Sequence, residues 1–356
     1  MGVDLDNLQN AFGNDYYFRM MNLAFVRSGV HRVAVGVLAG TLAACGSSKP
    51  SPSASDSSRR LSVVVTTSQL KDFATVIGGP NVTVYSLLKP NVDAHDFEPS
   101  PADIDAIAQA DVVVKNGVGL ESWFDDVLKS ADPKGVVVDA SAGVATRKGG
   151  AHDEHGDEHA KEGGDEHAEE GGDEHGEEGS QDPHIWFDPR NVKVMVRNIS
   201  EAFAAADDAH ASGYAERERA YAKELDILDT EIAAKISALD NKKLITNHDA
   251  FGYYVDRYGL EFVGSVIPSF DTSAEISASA LAQLVSDVKS QEVKAIFAET
   301  SLPAKAAAAL AEEAGVQVVA GDDALYGDAL GPEGSAGANY LAMMRHNTDT
   351  IVANLT

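Results

Sequence analysis

The sequence is poor in cysteine and in basic residues. The first shortage excludes a disulfide within the chain, and the second argues against binding to nucleic acid. Among 356 residues there is one cysteine, Cys45, so no disulfide can form within the chain. Lysine and arginine number 28 against 56 aspartates and glutamates, which gives a formal charge of −28. Binding to nucleic-acid phosphates requires a basic surface, so we expect no nucleic-acid partner. The acidic balance favours cations and high solubility instead.

Long apolar runs are also scarce. The run Val33–Leu42 is too short to span a bilayer, which takes about 20 apolar residues. It follows the basic residues Arg27 and Arg32 and precedes small residues, which is the pattern of a secretory signal peptide. The sequence "LAAC" ending at Cys45 resembles a bacterial lipobox, in which the cysteine carries lipid. We therefore expect residues 1–44 to be a signal peptide.

The segments on either side of this signal have simple compositions. Residues 1–19 are polar and acidic, unlike the start of a signal, and we expect translation to begin at Met20 or Met21. Residues 45–59 are rich in serine and proline and predict a flexible tether behind the lipidated cysteine. The body would then lie outside the cytoplasm, lipid-anchored to the outer face of the bacterial cell membrane.

A histidine-rich acidic segment interrupts the chain at residues 149–181. It contains almost no apolar residue, so it cannot bury a core and we expect it to be disordered. Its composition fits either a solvated spacer or a weak, multivalent metal trap. The candidate accessory ligands are His152, His155, His159, His167 and His175.

Short β-branched runs alternate with helical stretches in the rest of the chain. The predicted strands are 61–67, 81–88, 111–115, 135–140, 243–247, 261–267, 294–299 and 316–321. Continuous apolar strands separated by helices indicate parallel sheets buried on both faces. The fold class is therefore α/β, with two lobes that each hold a parallel sheet flanked by helices.

The apolar positions between the two strand sets recur every three or four residues, which predicts a long helix at 213–239. It would join an N-terminal lobe, 60–212, to a C-terminal lobe, 240–356. Lobes joined by a rigid helix permit small rocking motions rather than a wide hinge closure.

Three histidines have settings that suggest metal binding. His95 lies in a turn after a predicted strand, His184 precedes a helix start in "DPHIWFDP", and His248 ends a predicted strand. Ligands bind at the carboxyl ends of strands in open α/β sheets, which supports a shared site. A fourth ligand could come from Asp322, Asp323 or Asp328, among which spacing does not choose.

Several motifs occur together in an order that resembles a known family. They are "DAHDFEPSP", "NGVGLESWFDDVL", "DPHIWFDP", "NHDAFGYY" and "LYGDALGPEGSAGANYLAMMRHN". With the lipobox, they resemble the metal-binding lipoproteins of ABC-type zinc and manganese importers, over residues 60–356. The resemblance implies one metal ion in the cleft between the lobes and a permease and an ATPase as partners. It also implies the ligands His95, His184, His248 and Asp328.

The donor set predicts the metal. Manganese-binding members carry a carboxylate at the position of His248, whereas three imidazoles and one carboxylate suit tetrahedral Zn²⁺. Outer contacts from Glu98, Asp249 and Glu299 would orient the histidines. The expected protein is thus a monomeric zinc-binding component of an importer and not an enzyme.

Three alternatives are a manganese or iron importer, a surface adhesin and a zinc hydrolase. The hydrolase requires an open coordination position, and the sequence contains no HExxH motif.

Overall fold

The computed structural model describes residues 59–148, 181–274 and 276–356. The predicted signal peptide, residues 45–58 of the predicted tether and residues 149–180 of the histidine-rich segment lie outside these ranges. The N-terminal lobe contains, in chain order, β1 (Leu61–Val65), α1 (Ser68–Gly78), β2 (Val82–Ser86), α2 (Pro101–Gln109), β3 (Val112–Lys115), α3 (Phe124–Ala131), β4 (Val136–Asp139) and α4 (Pro189–Ala206).

The four strands described in this lobe are all parallel, in the order β2-β1-β3-β4. The valine runs are buried on both faces because alternate side chains enter different clusters. Val63 and Val65 pack with α1 and α4, whereas Val64 packs in a second cluster with α2 and α3. The sequence pattern predicted this two-sided burial correctly.

The strand β4 departs from that pattern. Val136 and Val137 were predicted to be buried, but their side chains are 55% and 38% exposed. Because β4 is the last strand in its sheet's order, it lacks a neighbouring strand within residues 59–148 and 181–274 to cover it. A run of valines therefore indicated a strand here without indicating its place in the sheet.

The C-terminal lobe repeats the α/β arrangement with shorter strands. It contains β5 (Lys243–His248), α6 (Gly252–Tyr258), β6 (Glu261–Ile267), α7 (Ala278–Ser290), β7 (Ala295–Phe297), α8 (Lys305–Ala314), β8 (Gln317–Val319) and α9 (Tyr340–Leu355). The strands form the parallel pairs β5–β6 and β7–β8, and β5 lies beside β7. The predicted α/β class with parallel sheets and flanking helices is confirmed.

A 27-residue helix, α5 (Ala211–Ser237), joins the lobes. It begins two residues before the predicted start and includes Gly213, and Arg217 on its second turn donates to the carbonyl oxygens of Ile77 and Gly78 at 2.6 and 2.8 Å. Its buried residues recur every three or four positions, as the sequence predicted: Tyr214, Tyr221, Leu225, Leu228, Ile232 and Ile236. No helix in the described ranges is long and apolar enough to cross a membrane.

Candidate metal centre

Four predicted side chains meet between the two lobes. His95 lies in the loop between β2 and α2, and His184 directly precedes the short 3-10 helix Ile185–Phe187. His248 is the last residue of β5, and Asp328 lies in the loop between β8 and α9. The nearest ligand atoms of the four residues all lie within 4.8 Å of one another. Each lobe thus supplies two members of one cluster.

The spacing within the cluster suits a small four-coordinate ion. Nε2 of His184 lies 3.3 Å from Nε2 of His95 and 3.3 Å from Nε2 of His248. Oδ1 of Asp328 is 3.4 Å from Nε2 of both His184 and His248. A regular tetrahedron with arms of about 2.0–2.1 Å has edges of about 3.3–3.4 Å. His95 is the outlying member, since its Nε2 is 3.8 Å from Oδ2 of Asp328.

Two carboxylates hold the buried rings in this orientation. Nδ1 of His184 lies 2.8 Å from Oδ1 of Asp182, and Nδ1 of His248 lies 3.0 Å from Oε1 of Glu299. The same carboxylate oxygens also accept the backbone N–H groups of His184 and His248, each at 3.0 Å. A ring that donates from Nδ1 presents the lone pair of Nε2, which is the form that binds metal.

Asp328 is a buried carboxylate that lacks a conventional partner. Its side chain is fully buried, and neither oxygen has a hydrogen-bond partner among the described residues. Both oxygens face the ring nitrogens of the cluster instead. Burial opposes its ionisation, but the charge of His248 and contacts with the other rings hold the pKa of Asp328 well below its usual value. A buried anion of this kind requires a cation or protonated neighbours.

Protons occupy part of the cluster when metal is absent. Burial disfavours a charged His184, but contacts with Asp182 and Asp328 outweigh it and raise the pKa of His184 to about 9. Burial is likewise outweighed at His248, where Glu299 and Asp328 raise the pKa well above its usual value. At His95 burial dominates and lowers the pKa. A metal ion must therefore displace protons from His184 and His248.

Metal binding at pH 7 should release about one to two protons, because a coordinating imidazole must be neutral. The apparent affinity should rise with pH through the range in which His184 and His248 lose their protons, and the pKa of His184 places its own loss at about 9. Calorimetry in buffers of different ionisation enthalpy measures the release directly. A binding enthalpy that does not change with the buffer would contradict these protonation states.

Of the other predicted site residues, the structure places some in contact with the cluster and others away from it. Glu299 makes the predicted contact with His248. Asp249 is half-buried near the site, but its side chain makes no hydrogen bond to a cluster ring in the described part of the chain. Glu98 is exposed and, within the same residues, has no such bond either. Asp322 and Asp323 are exposed, away from the cluster that contains Asp328. Cys45 and the five histidines of the acidic segment lie outside the described residues.

Sequence reasoning missed Asp182. It stands two residues before His184 in "DPH", and an Asx side chain at that spacing often accepts a nearby backbone N–H. This signal was available, whereas the contact of Asp182 with Arg147, 35 positions away, was not. The arrangement as a whole can chelate one divalent transition-metal ion with ligands from both lobes.

Comparison with known proteins places this cluster in context. The family described as "Zinc-uptake complex component A periplasmic" matches residues 63–354. A putative metal-binding protein of Treponema pallidum is 32% identical over 324 residues, which cover 89% of this chain and 94% of that protein. The manganese-binding lipoprotein MntA of Bacillus subtilis is 31% identical over 319 residues, which cover 88% of this chain and 95% of MntA.

A solved structure shows the same fold. The periplasmic zinc-binding protein TroA from Treponema pallidum superposes with a TM-score of 0.70 at 27% sequence identity. The match covers 84% of this chain and 99% of TroA.

Proposed function

Because the chain belongs to the family of periplasmic zinc-uptake complex components, we propose that it captures one Zn²⁺ ion outside the cytoplasm and delivers it to a membrane permease. As a member of this family, it is a metal-binding component of an ABC importer. The proposed ligands are His95, His184, His248 and Asp328. The ion is the cargo of the protein, so it must bind tightly and still be released.

One observation carries the choice of zinc. Three imidazole nitrogens and one carboxylate converge with separations of 3.3–3.4 Å along four of the six edges. Zinc favours nitrogen donors in tetrahedral sites, and these edges match zinc–nitrogen bonds of about 2.0–2.1 Å. Manganese favours more oxygen donors and octahedral geometry. The cluster offers one carboxylate, so manganese and iron are the weaker candidates.

Relatives with different metals make this choice worth testing. Alongside the manganese-binding MntA, the iron-binding protein YfeA of Yersinia pestis is 26% identical over 301 residues, and the zinc-binding protein TroA of Treponema pallidum is 29% identical over 297. Overall similarity therefore does not choose the metal, and the donor set must.

The proposal extends to the parts of the chain beyond the described residues. We propose that Cys45 carries the lipid anchor and that the segment 149–181 collects additional Zn²⁺ through its five histidines. The composition of the segment predicts disorder, and disordered ligands lose conformational entropy on chelation, so these sites should be weak and exchangeable. The partners would be the permease and the ATPase of the importer, with the protein acting as a monomer.

An enzymatic role and an adhesive role have less support. Four protein ligands leave no open position for a zinc-bound water, which hydrolysis requires. An adhesin would need a surface feature that recognises a partner, and no motif in the sequence provides one.

Titration calorimetry with Zn²⁺ and Mn²⁺ tests the proposal. We expect one tight zinc site, weaker manganese binding, and additional weak zinc sites in the purified chain. Deletion of residues 149–180 should remove the weak sites and leave the tight one, because the cluster ligands all lie outside that segment. Loss of tight binding with the deletion, or tighter binding of manganese than of zinc, would refute the assignment.

A further inference from the structure

The chain leaves and re-enters the described body at one point beside the metal cluster. Arg147 and Asp182 stand on either side of residues 149–180, and the backbone N–H of Asp182 donates to the carbonyl oxygen of Arg147 at 2.9 Å. The next residues outward, Lys148 and Gln181, form an antiparallel bridge. The cluster ligand His184 follows only two residues later, so the geometry at this point bears directly on the metal site.

The guanidinium of Arg147 connects the two lobes there. Its Nη1 donates to Oδ2 of Asp182 at 2.9 Å, and its Nε donates to Oδ2 of Asp256, in α6 of the C-terminal lobe, at 2.9 Å. The Tyr253 hydroxyl of α6 accepts the Arg147 backbone N–H at 3.1 Å and donates to the Asp182 carbonyl at 2.9 Å. These residues fix the segment before His184 against the lobe that carries His248.

Gly252 provides the space for this contact. A Cβ atom at Gly252 would lie 1.7 Å from Nη1 of Arg147 and 2.7 Å from Oδ2 of Asp182. Its backbone φ is not in the left-handed region, so the conformation itself would accept another residue. The glycine is needed because the arginine and the aspartate pack directly on α6. Any side chain there would push the guanidinium away from Asp182.

Asp182 needs both of its partners. Its side chain is fully buried, with Oδ1 accepting from His184 and Oδ2 accepting from Arg147. A buried carboxylate that loses one of two charge-assisted contacts is poorly satisfied and tends to shift. Such a shift would move Oδ1, which holds Nδ1 of His184, and thereby misdirect Nε2 of His184. Arg147 is only 24% exposed in its side chain, so water does not easily replace it.

We propose that Arg147 is a positioning residue for metal capture. It holds Asp182, which in turn holds the ligand His184, and it also binds Asp256 in α6. The inference rests on the proposed function, since it assumes that His184 binds the ion. Arg147 itself does not touch the metal. Arg147 therefore belongs to the outer contacts of the site, although it lies 37 positions before the ligand His184 in the sequence.

The test compares zinc affinities in the purified full-length chain by competition with a chelator. Arg147→Gln should weaken zinc binding by about 10- to 100-fold, the usual effect of removing an outer-layer partner of a metal ligand. Gly252→Ala should weaken it to a similar degree by displacing the guanidinium. Arg345→Gln is the matched control, because it breaks another 2.9 Å ion pair, with Glu231, between α5 and α9. That variant should bind zinc as the parent does.

The double variant distinguishes positioning from general destabilisation. If both substitutions act by releasing Asp182, adding Gly252→Ala to Arg147→Gln should change the affinity by no more than about twofold. The visible absorption of bound Co²⁺, which reports the geometry around the ion, should change in Arg147→Gln and not in Arg345→Gln. Unchanged affinity in Arg147→Gln, or fully multiplicative losses in the double variant, would overturn the inference.

Failure of the inference differs from failure of the proposed function. If His184→Ala binds zinc as tightly as the parent, the assignment of the site is wrong whatever Arg147 does. If His184→Ala loses affinity but Arg147→Gln keeps it, the site stands and Arg147 has no positioning role.

Discussion

Replacing His184 with alanine is expected to lower zinc affinity by about 100- to 1000-fold. Structural zinc sites contribute about 10–16 kcal/mol through four ligands, so one ligand accounts for about 2.5–4 kcal/mol. His184 is the central member of the cluster, since its Nε2 lies within 3.3–3.4 Å of ligand atoms from the other three residues. Its side chain is fully buried, which leaves no route for a water molecule to take its place without rearrangement.

His95→Ala should have a clearly smaller effect, of about tenfold. His95 is the outlying ligand, 3.8 Å from Asp328, and its side chain is 7% exposed rather than fully buried. A water molecule can therefore complete the coordination, as it does at zinc sites with three protein ligands. His210→Ala serves as the control, because His210 pairs with Asp207 in the connection between α4 and α5 and is not a member of the cluster.

Calorimetry of the three variants under one set of conditions measures this order. The expected sequence of affinities is His210→Ala equal to the parent, then His95→Ala, then His184→Ala. Equal losses for His95→Ala and His184→Ala would show that burial does not decide the contribution of a ligand here. Normal affinity in His184→Ala would place the tight site elsewhere.

The second large effect is on stability. Free Zn²⁺ at a thousandfold excess over the dissociation constant of the cluster should raise the free energy of unfolding by about 4 kcal/mol, because the cluster exists only in the folded chain. For bodies of about this size, each kcal/mol shifts the melting midpoint by about 2–4 °C, so a rise of about 8–16 °C is expected.

Asp328→Asn should abolish most of this thermal shift. Asp328 supplies the negative charge of the cluster, and asparagine keeps its shape while removing that charge. Its loop is held independently, since Gln69 donates to the Asp328 carbonyl at 3.0 Å and Leu330 donates to the Ser68 hydroxyl at 2.8 Å. The variant should therefore fold and lose mainly metal binding. Scanning calorimetry with and without chelator provides the measurement, and a full shift in Asp328→Asn would contradict a ligand role.

Much of the fold was predictable because it depends on local patterns. Short runs of valine form the strands β1 and β3. On α5, the apolar residues from Tyr214 to Ile236 recur at the three- or four-residue spacing of a helix. The exposure of Val136 and Val137 was not predictable, because an edge strand and a central strand have the same composition. The order of strands depends on how the whole sheet assembles, so the sequence of one strand does not predict its place in the sheet.

The site divides in the same way. His95, His184 and His248 could be proposed from the sequence because each stands at a turn or a strand end with a recognisable setting. The spacing alone left three aspartates open for the fourth ligand, and the resemblance to the importer lipoproteins pointed to Asp328. The structure places Asp328 in the cluster and leaves Asp322 and Asp323 exposed.

The sequence by itself thus determined the α/β class, the long linking helix and the candidate donor residues, because periodicity and residue chemistry are local. The tertiary structure alone decided which donors converge on one site, that Glu299 and not Glu98 contacts a ring, and that Arg147 reaches α6 over the space left by Gly252. The contacts made by Arg147 and Glu299 join residues from 35 to 109 positions apart. Distances of 3 Å between such residues depend on how the two lobes pack around α5, which no local pattern encodes.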